Sequence, residues 1–294
     1  MTSGDFVRKL SAMTRKMIIN ADDFGLCEGV NKAIFEAHSY GVLTSTTIMA
    51  GMPGFDEAVE MSKMLPGLGV GVHLNVVEGT PVSQDARVKI LTGDDGKFKY
   101  SPSKLAMKAF FDKKILEAIE VELSAQIGKV IKSGIRPTHL DSHKHFHCFA
   151  QVYKIVCRLA EKYNISAIRW PWEPATVCSH YWPQTTSKDK FRAFLVRNMA
   201  NHCRNVDSRF IKTDIFFGLA HTGRIDNNFW SELAAVEYAG TAEVMTHPGY
   251  PEGLVNTRLV KERQVELRWL CGATRQLLKD ANIELVNFGN IDGK

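Results

Sequence analysis

Short β-rich apolar runs alternate with longer amphipathic ones along nearly the whole chain, and no other feature constrains the fold so strongly. That alternation is the signature of repeated βα units around a parallel sheet. Eight candidate strands can be read: Met17–Asn20, Ser45–Met49, Val70–Leu74, Thr138–Ser142, Ser166–Trp170, Asp214–Phe217, Glu243–Thr246 and Ile283–Phe288. Between them lie helical stripes. Ile115, Ile119, Leu123, Ile127 and Ile131 recur every fourth residue, and Leu267, Leu270, Cys271, Thr274, Leu277 and Leu278 share one helical face. Such stripes pack on the outside of a sheet.

Length allows two arrangements, since 294 residues suit either two domains of about 150 residues or one α/β barrel of about 250. No linker or repeat divides the sequence into two cores. The expectation is therefore an α/β fold, a single distorted TIM-like barrel over residues 16–294 preceded by an N-terminal extension, 1–15. Two connections exceed simple βα turns. Glu78 to Ser103 holds Asp94, Asp95 and Gly96 between two short extended runs and reads as a small inserted hairpin, while Pro171 to Ser187 carries Trp172, Tyr181 and Trp182. In a barrel both follow strand carboxyl ends and lie on the catalytic face.

A net charge of +5 is modest, and the most basic stretch, Lys188 to Arg209, is interleaved with apolar residues at helical spacing. It reads as a solvated helix face, and no nucleic-acid partner is expected. The six cysteines, at 27, 148, 157, 178, 203 and 271, form no Cys-x-x-Cys pair, so reduced buried thiols are expected in place of a disulfide framework or thiolate zinc site. The first sixteen residues lack a continuous hydrophobic segment, and no run is long enough to span a bilayer. A cytoplasmic protein, with no membrane partner, is the default expectation; a homodimer is the default for its assembly.

Polar residues of catalytic type collect at the carboxyl ends of four candidate strands. Asp22 and Asp23 follow the first, His73 ends the third, His143 follows the fourth and His247, before Pro248, follows the seventh. In a barrel those ends meet around one mouth. Paired acids there can divide labour, one binding a metal and the other moving a proton. The Asp23-Phe24-Gly25 triplet has no glycine-rich loop or His-Arg-Asp loop before it, which excludes a protein kinase. From Thr138 to His147, four histidines and Asp141 fall at every second position. An extended segment puts all five on one face, whereas a helix starting after Ser142 pairs His143 with His147, and the sequence leaves both open. A carboxylate with two imidazoles suits Zn²⁺, Mn²⁺, Co²⁺ or Ni²⁺ and leaves a position for water, so hydrolysis is the natural chemistry.

Through Asn20–Gly25, Val42–Thr47, Gly71–Asn75, Pro137–His147 and Thr246–Gly249 the chain resembles the YdjC-like carbohydrate deacetylases, which include chito-oligosaccharide deacetylases. The resemblance covers about Lys16 to Phe288. It implies a distorted (β/α) barrel, distantly similar to the NodB-type polysaccharide deacetylases, and removal of acetyl groups from N-acetylated sugars or oligosaccharides. By motif it implies Asp23, His73 and His143 as ligands of one divalent ion, with Zn²⁺ favoured and Mg²⁺, Mn²⁺, Co²⁺ or Ni²⁺ admissible. It further implies Asp22 as general base and His247 as general acid. Trp170, Trp172 and Trp182 are candidate stacking platforms for sugar faces. Two other readings stand beside this one. A metal-dependent hydrolase of another acyl or amide compound keeps the same ligands, but an amidohydrolase usually has His-x-His on the first strand, where this chain has two aspartates. A non-catalytic sugar-binding barrel keeps the aromatics without needing Asp22, Asp23 and His247 together with two histidines.

Overall fold

A computed structural model describes residues 15–175, 185–204, 206, 209–255, 257 and 259–291. All eight expected strands form: β1 (Arg15–Phe24), β2 (Ser45–Ile48), β3 (Gly69–Leu74), β4 (His139–Ser142), β5 (Ala167–Ile168), β6 (Ile215–Phe217), β7 (Thr241–Thr246) and β8 (Ile283–Leu285). They make one sheet in the order β5-β4-β3-β2-β1-β7-β6, with every pair parallel. Short β8 pairs with the first residues of β1, Arg15 to Met17, whereas β2 joins β1 only from Asn20 onward. The two ends of the order meet through irregular backbone. Ile168 N donates to Ile211 O at 3.2 Å, Ile211 N to Ser166 O at 2.9 Å, and Phe216 N to Trp172 O at 3.1 Å. The sheet therefore curls into the distorted barrel expected from the alternation.

Nine helices are described: α1 (Glu28–Ser39), α2 (Phe55–Lys63), α3 (Pro102–Phe111), α4 (Lys113–Lys132), α5 (Ala150–Lys162), α6 (Ser187–Cys203), α7 (Asn227–Ala235), α8 (Lys261–Cys271) and α9 (Thr274–Asp280). The isoleucine stripe of α4 buries Ile115, Ile119, Leu123 and Ile127, with Ile131 left exposed near its end. The stripe expected from Leu267 to Leu278 is two helices, because the backbone at Gly272 leaves helical geometry. The hairpin expected after β3 reduces to one antiparallel bridge, Thr92 to Phe98, preceded by a 3₁₀ turn over Ala86–Leu91. Cys27, Cys148 and Cys203 are buried free thiols, Cys157 is buried and Cys271 is half-buried. No described helix is long and apolar enough to cross a membrane.

The period-two pleat sorts each strand into two chemistries. Met17, Ile19 and Ala21 of β1, Val70, Val72 and Leu74 of β3, and Ala242 and Val244 of β7 all join the main apolar core shared with the helices. Ile18 belongs instead to a small cluster with Ala167 and Phe288 at the foot of the barrel. Above it the alternate positions are polar and buried: Asn20 and Asp22, His73, His139 and Asp141, Arg169, and Glu243. Gly71 makes room for this layer. A Cβ there would lie 2.5 Å from His139 Cε1, and the imidazole cannot retreat because it stacks on Phe288 at 3.8 Å between ring centroids. Gly71→Ala is expected to lower stability by about 1–3 kcal/mol through overpacking. Denaturant unfolding checks this as a lower midpoint at unchanged slope, and an unchanged midpoint contradicts it.

Candidate active site

Adjacent residues of a strand normally face opposite sides, yet Asp22 and Asp23 both serve the barrel mouth. The backbone explains this. Asp23 adopts a left-handed conformation (φ 72°), and the β1–β2 register is irregular between Ala21 and Phe24. Aspartate tolerates that region better than most residues. Gly25, also left-handed at φ 89°, carries the chain away, and its amide donates to Asn31 Oδ1 at 2.7 Å.

Asp23 Oδ1 stands 3.6 Å from His73 Nε2 and 3.3 Å from His143 Nδ1, and it is buried without a hydrogen-bond partner. Its other oxygen accepts from Arg263 Nη2 at 2.5 Å. Candidate ligand atoms of Asp23, His73 and His143 all lie within 4.8 Å of one another. An orphaned buried acceptor is costly, by about 1–3 kcal/mol, and a cation among these three atoms would satisfy it. The residues thus fit the group expected from sequence. A second cluster of Asp22, His73 and Asp141 is equally compact, but there the guanidinium of Arg169 already engages both aspartates.

Arg169, just past β5, is the residue the sequence reading missed. Its Nη1 and Nη2 donate to the two oxygens of Asp22 at 2.8 and 2.7 Å, Nη1 also lies 2.6 Å from Asp141 Oδ2, and Nε donates to Glu243 Oε1 at 2.7 Å. Burial alone would raise the pKa of Asp22, but Arg169 outweighs it and holds the carboxyl below the usual carboxylate range. Asp141 is lowered in the same way, against burial, by Arg169 and His73. Glu243 has only one contact to the arginine, so burial, reinforced by Asp22 and Asp141, pushes it up to about 7. Asp141 in turn orients His73, accepting from Nδ1 at 2.8 Å and from Thr47 Oγ1 at 3.1 Å. With Nδ1–H committed to a carboxylate, Nε2 faces Asp23 with its lone pair.

Burial pushes the His73 and His143 pKa values down, but carboxylates reverse this for both. Asp141, Asp22 and Asp23 raise His73, while Asp23 and Glu78 raise His143 to about 9. The negative field that favours a proton on these rings favours a metal cation between them. His247, at the end of β7, sits across the mouth with Nε2 4.0 Å from Asp22 Oδ2, and its amide donates to Glu266 Oε2 at 2.5 Å. Burial, aided by Arg263, brings its pKa to about 4 despite Asp22 and Asp23, so its ring is neutral. A cleft of about 430 Å³ opens over Asp22, Asp23, His73, His143 and His247.

Neither reading of the histidine segment matches the structure. His139 and Asp141 lie in β4, but Lys144 (φ 56°) and His145 (φ 53°) turn left-handed within a 3₁₀ turn, leaving His143 at the mouth. His147 is turned away, its Nδ1 2.6 Å from Ser142 Oγ and its Nε2 3.1 Å from Arg169 O. Two of the expected sugar platforms, Trp170 and Trp172, do not line the cleft. Trp170 and Trp172 stack on one another at 5.4 Å, Arg204 covers the Trp170 ring, and Trp170 Nε1 donates to Ala200 O. Trp170 is buried, and one face of Trp172 is covered by it. Trp182 lies outside the described residues.

Fold and site together define a single-domain parallel α/β barrel with a buried aspartate–imidazole cluster at its strand carboxyl ends. The chain belongs to the YdjC-like protein family, whose model matches residues 16–280. Among its relatives is a carbohydrate deacetylase of Brevibacillus brevis, 36% identical over 94% of this chain and 99% of that protein. Another, of Thermoanaerobacter pseudethanolicus, carries the same name and is 32% identical over 92% and 97%. A crystal structure from Enterococcus faecalis, of a protein provisionally described as cleaving cellobiose phosphate, superposes with a TM-score of 0.72. It is 25% identical, covering 94% of this chain and 98% of that one.

Glu243 supplies a pH test of the Arg169 cluster. A carboxyl whose folded pKa lies near 7, above its unfolded value of about 4.3, binds more protons folded than unfolded in that window. Its contribution to stability is full below the unfolded pKa and is lost as pH rises through the folded one. Glu243→Gln should therefore compare more favourably with the parent at pH 7.5 than at pH 5 in denaturant unfolding. An identical difference at both pH values contradicts the account.

Proposed function

We propose that this chain is a divalent-metal-dependent carbohydrate deacetylase that removes acetyl groups from N-acetylated sugars or chito-oligosaccharides. The observation that carries the proposal is the unpartnered, buried Asp23 Oδ1 between two imidazole nitrogens, with Asp22 and His247 facing the same cleft. The names of the curated relatives point to the same reaction. In this reading residues 16–294 act as one domain, 1–15 are an extension, and the protein works in the cytoplasm.

Asp23, His73 and His143 would hold the ion, with Zn²⁺ favoured by the mixed nitrogen and oxygen donor set. When bound, it supplies Lewis acidity for the acetamide carbonyl and the attacking water. Asp22, kept ionised by Arg169, accepts the proton of the water as its oxygen adds to the carbonyl carbon. The proton crosses the 4.0 Å to His247. Because burial gives His247 a low proton affinity, its protonated form is a strong acid and delivers the proton to nitrogen as the C–N bond breaks. Acetate and an amino sugar leave. A groove of about 990 Å³ adjoins the cleft at Leu26, Met52, Glu78 and Val255, which gives an oligosaccharide room beyond the reacting unit.

Metal analysis beside acetate release from N-acetylglucosamine oligomers tests this reading. His73→Ala should lose both the metal and activity. Asp22→Ala should retain the metal and lose about 10²–10⁴-fold in turnover, the usual worth of a general base. Parent-like hydrolysis in both variants overturns the assignment.

A further inference from the structure

The loop after β3 brings a carboxylate to the outer side of His143. Glu78 Oε2 lies 3.0 Å from His143 Nε2 and 3.2 Å from Lys144 Nζ. A neutral imidazole has one donor and one acceptor nitrogen, and the partner of one decides what the other offers. Since an ionised carboxylate only accepts, Nε2 must carry a hydrogen, so when the ring gives up its other proton to a cation the lone pair of His143 lies on Nδ1, the atom 3.3 Å from Asp23 Oδ1. His73 is arranged the opposite way round, with Nδ1 held by Asp141 and Nε2 turned to Asp23. Each imidazole is thus braced by a carboxylate on the nitrogen that does not face the third residue.

We infer that Glu78 is a positioning residue of the proposed metal centre, accepting from His143 Nε2–H and so fixing the tautomer that presents Nδ1 to the ion. This rests on the reading of Asp23, His73 and His143 as one cation site. An exposed Glu–Lys pair alone would need no elaborate support, but the Glu78 loop is clamped from beneath. Asn75 Oδ1 accepts from the amides of Val77 and Glu78 at 3.1 Å each, and Asn75 Nδ2 donates to Glu78 O at 2.6 Å. Asn75 is itself tied to helix α4: its amide donates to Gln126 Oε1 at 2.9 Å, and its carbonyl accepts from Gln126 Nε2 at 2.5 Å. One turn earlier on α4, buried Glu122 accepts from the amides of Val82 and Ser83, both at 2.9 Å, and from Gln126 Nε2 at 2.8 Å. Two side chains of one helix therefore fix both ends of the loop that carries Glu78.

Titration calorimetry of metal-free protein with Zn²⁺ at constant pH is the test, on the parent, Glu78→Ala and Glu78→Gln, with thermal unfolding of each metal-free protein as the folding check. Glu78→Ala should weaken Zn²⁺ binding about 10–100-fold, the usual cost of losing such an outer partner, while Glu78→Gln, which keeps an acceptor oxygen, should recover most of it. If the parent binds Zn²⁺ and Glu78→Ala binds equally well, the role of Glu78 is refuted while the cation site stands. If Glu78→Gln is as weak as Glu78→Ala, its charge and not its hydrogen bond matters, and the inference fails. If the parent itself binds no Zn²⁺, the cation reading falls first and this one with it.

Discussion

Everything at the barrel mouth depends on one buried guanidinium. Arg169 contacts Asp22, Asp141 and Glu243 at 2.6–2.8 Å, and all four side chains are buried. Isolated carboxylates in such a place would take up protons, because removing a charge from water costs several kcal/mol. The arginine keeps Asp22 and Asp141 ionised, and each then performs a different task. Asp141 turns His73 so that Nε2 faces Asp23, and Asp22 stands ready as an acceptor beside the cleft. Truncating the arginine leaves uncompensated buried charge, which is among the more costly changes a protein can suffer, at about 3–5 kcal/mol.

Fold and site are two readings of the same pleat. Every second residue of β1, β3 and β7 feeds the apolar layer under the helices, and the residues between them point into the barrel, where apolar packing at the foot gives way to Asn20, Asp22, His73, Asp141 and Glu243 above. The polar positions cannot shift by one residue without moving the whole apolar set into the barrel. Register is therefore enforced by the hydrophobic face, and the geometry of the polar face follows from it. Where this alternation is broken, at Asp23 and at Lys144 and His145, the backbone turns left-handed. Those breaks bring Asp23 and His143 to the same ion-sized space as His73.

The strands, the barrel and the convergence of Asp22, Asp23, His73, His143 and His247 were legible because they follow from periodicity and from residue types at strand ends. What remained hidden has a common cause: its partners are distant in sequence. Arg169 reads as one charged residue within the Ser166–Trp170 run, and nothing local says that three acids from other strands surround it. An unbroken polar alternation across several candidate strands, Asn20 and Asp22, His139 and Asp141, was the available signal. The histidine segment misled because periodicity assumes a continuous conformation, whereas Lys144 and His145 turn left-handed. Trp170 and Trp172 differ from expectation because an aromatic type does not reveal whether a face is already covered, as one face of each is by the other.

Diffraction from crystals grown with Zn²⁺, recorded on both sides of the zinc absorption edge, tests the central claim most directly. The account predicts one anomalous peak at the barrel mouth, about 2.0–2.2 Å from Asp23 Oδ1, His73 Nε2 and His143 Nδ1, the normal lengths for zinc with oxygen and imidazole ligands. A peak held by other residues, or none at this site at saturating zinc, would contradict it.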